Sequence, residues 1–173
     1  GCATEVPYDP NNFLTAEEAE AMGEPYRIVK EPITLTVFVP ISASNPHYRE
    51  MVSIQKLSEI TNIQFEFIEA SVSAYTTLRT AAWQNKNDLP DLFLFNNPVS
   101  EQVTNYRYGA MYAWNDDSLV VRDMQVGNLI ENYMPNYKAL LESNFGHPEE
   151  ISAVSIATMD DGKMYSLVCS NDI

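Results

Sequence analysis

Apolar positions are unevenly spread along the chain, and their spacing changes sharply near residue 33. From Ile33 to Val39 the sequence ITLTVFV is β-branched and apolar on both faces, the pattern of a buried central strand. Pro40 is expected to end it. Asn45-Pro46 reads as a helix start, with Asn45 at the N-cap and Pro46 at the first helical position. Tyr48, Met51, Val52, Leu57 and Ile60 give that helix an apolar face, and Thr61-Asn62 closes it. A second strand covers Ile63 to Ile68. A second helix, capped by Ser71 or Ser73, runs to about Lys86 and is expected to bury Tyr75, Leu78 and Ala82. Asn87-Asp88-Leu89-Pro90 stops it, and Asp91 to Phe95 forms a third strand. Asn96-Asn97-Pro98 breaks that strand, and Ser100 caps a third helix to about Tyr108.

This β-α-β-α-β order with short links predicts parallel strands joined by right-handed crossovers, the first strand lying between the other two. The fold class that follows is α/β: a three-layer, open, mostly parallel sheet. Farther on, residues 129–134 and 136–142 read as two short helices separated at Pro135. Val154 to Met159 and Lys163 to Val168 flank Asp160-Asp161-Gly162, a hairpin signal. Before Ile33 the pattern differs. Seven acids, two bases and three prolines lie between Glu5 and Glu31, with little apolar content, so residues 1–31 are expected to pack weakly. Within them Thr15-Ala16-Glu17-Glu18 is a capping box, ended by Gly23 and Pro25. The domain division expected is residues 1–31 as a tether with a short helix, and residues 32–173 as one α/β unit.

Charge narrows the partners. The 173 residues carry 24 acids and 10 bases, a net charge of −14. Such a surface repels phosphate backbones, so no nucleic-acid partner is expected, nor docking on anionic lipid through basic residues. Two cysteines, Cys2 and Cys169, exclude a disulfide framework. No apolar run reaches the length of a membrane span.

Catalytic and metal signatures are missing from the sequence. His47 and His147 stand far apart, and neither H-E-x-x-H nor a paired C-x-x-C occurs, so no metal site is expected. Pro40 to Ser44 occupy the place where a glycine-rich phosphate loop would follow the first strand, and there is no G-x-S-x-G elbow. No cofactor is expected, and the chain is read as not an enzyme. His47 reads as a solvated residue of a first helical turn. Asp160-Asp161-Gly162 reads as a turn rather than a calcium loop, because the closing glutamate is missing. Trp83 and Trp114 are better placed in a core than as sugar platforms.

The run from Ile33 to Phe95 resembles the start of extracellular solute-binding protein family 1, the sugar-binding proteins of ABC importers. The sharpest match is LRTAAWQNKNDLPDLFLF, Leu78 to Phe95, a helix and polar turn followed by Leu-Pro-Asp and an apolar strand. Tyr108-Gly109-Ala110 to Asp117 is a second match. Asp161 to Val168 is similar to the family's Asp-Gly-Lys-x-Tyr-x-Leu-Pro hairpin, with Val168 where proline is usual. The order of these pieces, over about residues 33–168, carries the resemblance.

The resemblance implies the N-terminal lobe of a type II periplasmic-binding-protein-like receptor, its second lobe absent. It implies extracellular capture of a solute, an oligosaccharide above all, for ABC permease subunits. Gly1-Cys2 matches the end of a bacterial lipobox, which implies a lipid on Cys2 and attachment to the outer face of the cell membrane in a Gram-positive bacterium. A lobe on its own is expected to expose apolar surface near Tyr165, Leu167 and Val168 and to self-associate. Open parallel sheets bind ligands outside the carboxyl ends of their strands. The residues expected to touch solute are therefore Ser42, Asn45, Tyr75, Asn96 and Asn97, although Asn45 also suits a helix cap. The alternative reading is a stand-alone surface α/β domain with an adhesin-like role or that of a carbohydrate-active enzyme.

Overall fold

The computed structural model describes residues 9–94 and 99–110, four further strands, and isolated helical positions between 132 and 139. Ile33–Ile41 (β1), Ile63–Ser71 (β2) and Leu92–Leu94 (β3) are separated by helices Val52–Thr61 (α2) and Tyr75–Gln84 (α3). Helix Ala16–Ala21 (α1) precedes β1, and Val99–Tyr108 (α4) follows β3. Val120–Val121 (β4) and Met124–Gln125 (β5) form a small antiparallel ribbon that the hydrophobic pattern does not announce. Ala153–Ala157 (β6) and Met164–Cys169 (β7) complete the main sheet.

That sheet has the order β2-β1-β3-β7-β6. β1 runs parallel to both β2 and β3 and lies between them, as the crossover argument requires. The β6–β7 pair is antiparallel and joins the sheet through β7 on β3, with Phe93 opposite Val168 and Leu94 opposite Leu167. The fold is thus α/β, with three parallel strands extended by an antiparallel pair. The turn 158–163, most of the stretch 129–142 where two helices are expected, and Trp114 lie outside the described residues, as does side-chain burial in β6 and β7, including Tyr165, Leu167 and Val168.

The first crossover runs from β1 out to β2 and the second runs back from β2 past β1 to β3, so right-handedness places α2 and α3 on opposite faces. The rings agree. Phe38 lies 5.4 Å from Tyr75 and 5.5 Å from Phe93, and Phe93 lies 5.5 Å from Trp83, so α3 covers the face carrying Phe38. Phe67, opposite Val37 in the ladder, stacks on Tyr48 at 5.2 Å on the other face. Trp83 is 1% exposed and Phe93 is fully buried, the core placement expected for this tryptophan.

Several boundaries differ from the pattern. Pro40 does not end β1 but lies within it, opposite Ala70. Among the described residues β3 pairs with β1 at Val37 and Phe38, so Pro40 stands beyond that doubly flanked stretch, where a missing N–H is tolerated. Asn45-Pro46 does not open a helix. A short 3₁₀ turn covers Tyr48–Glu50, and α2 begins only at Val52, with Met51 at its N-cap and no side-chain cap. α2 packs loosely, with Val52 79% and Leu57 41% exposed. On α3 the buried stripe is Tyr75, Arg79 and Trp83, and Leu78 is exposed. Asn62 closes α2 in the left-handed region (φ 62°), as the sequence predicts.

Within residues 9–31 most side chains are exposed and Ala19 and Val29 are buried, in keeping with weak packing, but the backbone of the segment is held in place. The capping box of α1 forms: Glu18 N–H donates to Thr15 Oγ1 at 3.1 Å, and Thr15 N–H donates to Glu18 Oε2 at 2.9 Å. Gly23 (φ 74°) takes the left-handed turn that lets the Glu24 N–H return to the Ala19 carbonyl. Phe13 and Val29 then form an antiparallel bridge, and Val29 is fully buried. The Asn62 side chain donates to the carbonyls of Val29 and Lys30, and Ile28 N–H donates to the Thr61 carbonyl. Few apolar side chains are needed, because backbone bonds and Asn62 hold the segment to the α2–β2 junction.

Candidate functional site

The connections from β1 to β2 and from β2 to β3 depart to opposite sides of β1. The carboxyl ends of β1 and β3 are therefore the switch point of the sheet, the place where open α/β sheets admit ligands. The register fixes what stands there. Ile41 is opposite Ser71, so β1 and β2 end side by side. Two hydroxyl pairs follow: Ser42 Oγ lies 3.1 Å from Ser44 Oγ, and Ser71 Oγ lies 3.3 Å from Ser73 Oγ. Ser42 is half-buried; Ser44, Asn45, Ser71 and Ser73 are exposed. Asn45 N–H donates to the Ser42 carbonyl at 3.0 Å and closes a turn there. This edge is rich in neutral groups that both donate and accept, which is the chemistry that matches a polyol.

Tyr75 has a different environment from the other expected contacts. It opens α3, is 3% exposed, and donates its hydroxyl to the carbonyl of Leu94 at the end of β3. Burial pushes its phenol up to about 12, against a smaller opposing effect of the nearby Arg79 guanidinium. It ties the second and third strand ends together from beneath. Asn96 and Asn97 lie outside the described residues, as does Cys2. Among the expected contacts that are described, Ser42 and Asn45 thus share the β1 end, while Tyr75 is under the sheet edge.

Glu69, His47 and Tyr48 brace this edge; of the three, periodicity singles out Tyr48 alone, and for a helix face. Glu69, near the end of β2, accepts from His47 Nδ1 at 2.5 Å through one carboxylate oxygen and from the Tyr48 N–H at 2.9 Å through the other. Tyr48 also donates its hydroxyl to the Pro40 carbonyl at 3.0 Å. These bonds take Tyr48 to the sheet, which is the physical reason that the helix start moves past Asn45. Partial burial pushes the Glu69 carboxyl up, but the His47 ring and the Tyr48 N–H outweigh it and hold the group below its usual value. Burial, with the Glu69 charge, raises the Tyr48 phenol. His47 is more than half exposed, as a solvated residue should be, yet it is bonded to a carboxylate 22 positions away, a separation that no local pattern reveals.

Arg79 lies behind the third strand end. It is 1% exposed, its guanidinium is 4.7 Å from the Trp83 ring centre and 5.6 Å from that of Tyr75, and it is ion-paired to Glu101 in the first turn of α4. A signal for it existed: Tyr75, Arg79 and Trp83 stand four apart, one helical face. Gly109 (φ 86°) closes α4, with the Ala110 N–H returning to the Asn105 carbonyl.

Among the described residues, no group of three or more His, Cys, Asp or Glu side chains is arranged to hold a metal ion, and no helix is long and apolar enough to cross a membrane. A half-open groove of about 630 Å³ follows β2, lined by His47, Arg49, Phe65, Phe67 and Glu69 among others. A smaller one, about 340 Å³, lies between α3 and α4.

No protein-family model matches the chain, and no curated protein matches its sequence. Among solved structures it is similar to an extracellular solute-binding protein from Bifidobacterium longum subsp. infantis, with TM-score 0.49 and 19% identity over 72% of this chain and 23% of that one. It is also similar to the alginate-binding protein AlgQ2, crystallised without calcium ion, with TM-score 0.45 and 16% identity over 68% of this chain and 22% of that one. The chain spans less than a quarter of the length of either protein.

Proposed function

We propose that this α/β unit captures a small neutral solute, an oligosaccharide, at the carboxyl edge of its parallel strands, and that it binds without turnover. The observation that carries this reading is the β2-β1-β3 order, which puts the switch point of the sheet at the hydroxyl- and amide-rich end of β1. Ser42 and Asn45 would contact the solute directly. Asn96 and Asn97, which follow β3 in sequence, are proposed as further solute contacts, while Tyr75 would act indirectly by holding Leu94.

The finer parts of the proposal rest on the sequence resemblance. They are closure of a second lobe over the solute, delivery to the permease of an ABC importer, and attachment to the outer face of the membrane through a lipid on Cys2. A two-lobed receptor encloses most of its ligand, so the unit described here supplies only part of the affinity.

Calorimetry with a panel of neutral oligosaccharides, with product analysis on the same mixtures, tests the proposal. Saturable heat without new products is the expected result. Release of shorter sugars overturns the non-catalytic reading, and no heat from any member at millimolar concentration overturns solute capture by this unit.

A further inference from the structure

We propose that Glu69 is the positioning residue of the solute edge: its carboxylate fixes the far end of the loop that carries Ser42 and Asn45. This rests on the solute-capture reading for its consequence, but the clamp itself is a property of the fold.

The loop has two fixed ends. Ile41 is held in the ladder opposite Ser71. Six residues later His47 donates to Glu69 Oε2 at 2.5 Å, and the next backbone N–H, that of Tyr48, donates to Glu69 Oε1 at 2.9 Å. Both oxygens of one carboxylate are thus engaged by consecutive residues. Hydrogen bonds to an ionised group are the strong ones, roughly twice a neutral pair. The Tyr48 ring adds a second attachment to the same strand by stacking on Phe67, and its hydroxyl returns to Pro40. Ser42, Ala43, Ser44, Asn45 and Pro46 are left as the span between the anchors, and the Asn45 N–H to Ser42 carbonyl bond shapes it.

A purely structural anchor for α2 would be expected to hold the helix by an N-cap. α2 has none: Met51 stands at its N-cap with no side-chain bond. On the helix side one side-chain bond is described, from Gln55 Nε2 to the Arg49 carbonyl at 3.2 Å, whereas the bonds that reach β2 are made on the loop side, by His47 and Tyr48. Glu69 stands on β2 opposite Val39 of β1, close to the edge itself. A group there, gripping the loop at its exit, sets where the Ser42 hydroxyl and the Asn45 amide stand. Fixing them beforehand spares the ordering cost on binding, which is how a shallow edge gains affinity.

Amide hydrogen exchange and nitrogen-15 NMR on the full chain test the clamp, comparing wild type with Glu69→Ala and Glu69→Gln. In the wild type the His47 ring should show a protonated Nδ1 and the Tyr48 amide a downfield proton. Glu69→Ala should abolish both signatures and speed exchange at Ser42 to Tyr48 by about tenfold, with amides of β1 and α3 unchanged. Glu69→Gln keeps a carbonyl acceptor and should restore part of the protection. Unchanged exchange at Ser42 to Tyr48 in Glu69→Ala overturns the proposal, as does general loss of protection in Glu69→Gln, which would mark a role in folding only. Titration of the same samples with neutral oligosaccharides separates the two claims. Weaker binding in Glu69→Ala, partly rescued in Glu69→Gln, supports the full proposal. Wild-type affinity in Glu69→Ala overturns the positioning role, and absence of binding by the wild type overturns solute capture while the exchange result still decides the clamp.

Discussion

Asp91 and Thr36, 55 positions apart, close on each other reciprocally at the mouth of the parallel ladder. One Asp91 oxygen accepts the Thr36 N–H at 2.6 Å and the Thr36 hydroxyl at 2.9 Å, and the same hydroxyl oxygen accepts the Asp91 N–H at 2.9 Å. Among the described residues β3 makes two ladder pairings with β1, Val37 with Leu92 and Phe38 with Phe93. The aspartate therefore extends the contact just where the ladder begins. Leu89 and Pro90 before it are buried, so the Leu-Pro-Asp segment seats two residues in the core and turns the third onto β1.

Asp91→Ala should consequently lower stability by about 1–3 kcal/mol, because it strands a half-buried backbone N–H that has no strand to meet. Asp91→Asn retains the acceptor and should lose less. Urea unfolding of both variants measures the difference, and an m-value close to wild type would show that the native fold is the one being compared.

Glu101 and Arg79 make an unequal pair. Arg79 is 1% exposed and Glu101's side chain is 40% exposed. Water can therefore reclaim the carboxylate but not the guanidinium. Glu101→Ala should cost about 1–3 kcal/mol, less than a fully buried pair because solvent screens the exposed partner. Arg79→Lys should not be neutral, since an ammonium cannot lie flat between the Tyr75 and Trp83 rings. Thermal melts of the two variants test this; a neutral Arg79→Lys would show that the planar stacking contributes nothing.

Tyr75 makes stability depend on alkaline pH. Its folded value, about 12, is above the ordinary phenol value of 10.0 because burial disfavours the phenolate. The folded state thus holds the proton more tightly than the unfolded chain. The contribution is complete below pH 10 and is lost as pH rises through about 12. Tyr75→Phe should remove that dependence and also the bond to the Leu94 carbonyl, worth about 1 kcal/mol. Stability measured by urea at pH 8 and pH 11 should differ more for the wild type than for the variant.

The order of strands was legible because it needs only period and handedness. Ile33 to Val39 and Ile63 to Ile68 are long enough apolar runs, and short crossovers leave one right-handed arrangement. Local signals with a reciprocal partner nearby were also legible: Thr15 with Glu18, and Asn62 at the end of α2. What stayed hidden was pairing across the sequence. Nothing near Glu69 announces His47, and nothing near Thr36 announces Asp91. Arg79 was hidden differently, since a charged residue on a helix is taken for a solvated one, whereas here two aromatic rings and Glu101 share its burial. Asn45 was misplaced for the opposite reason: Asn-Pro is a strong local signal, and Glu69, a distant group, captures the chain past it.

That displacement separates two roles for Asn45 that the sequence leaves joined. A helix N-cap replaced by alanine costs about 1 kcal/mol of stability. Asn45 caps nothing: α2 begins seven residues later, and the bond at Asn45 comes from its backbone N–H, which alanine keeps. Its side chain is exposed. Asn45→Ala should therefore leave the unfolding midpoint within about 0.5 kcal/mol of wild type, as surface substitutions do. If the amide reaches solute, the same change removes a bond made only in the complex, and affinity should fall by about five- to tenfold. Ser42→Ala should behave alike, with a small stability loss from the broken contact with Ser44. Calorimetry paired with urea unfolding reads both quantities on one preparation. Full affinity in Asn45→Ala and Ser42→Ala together would remove the β1 end from the site.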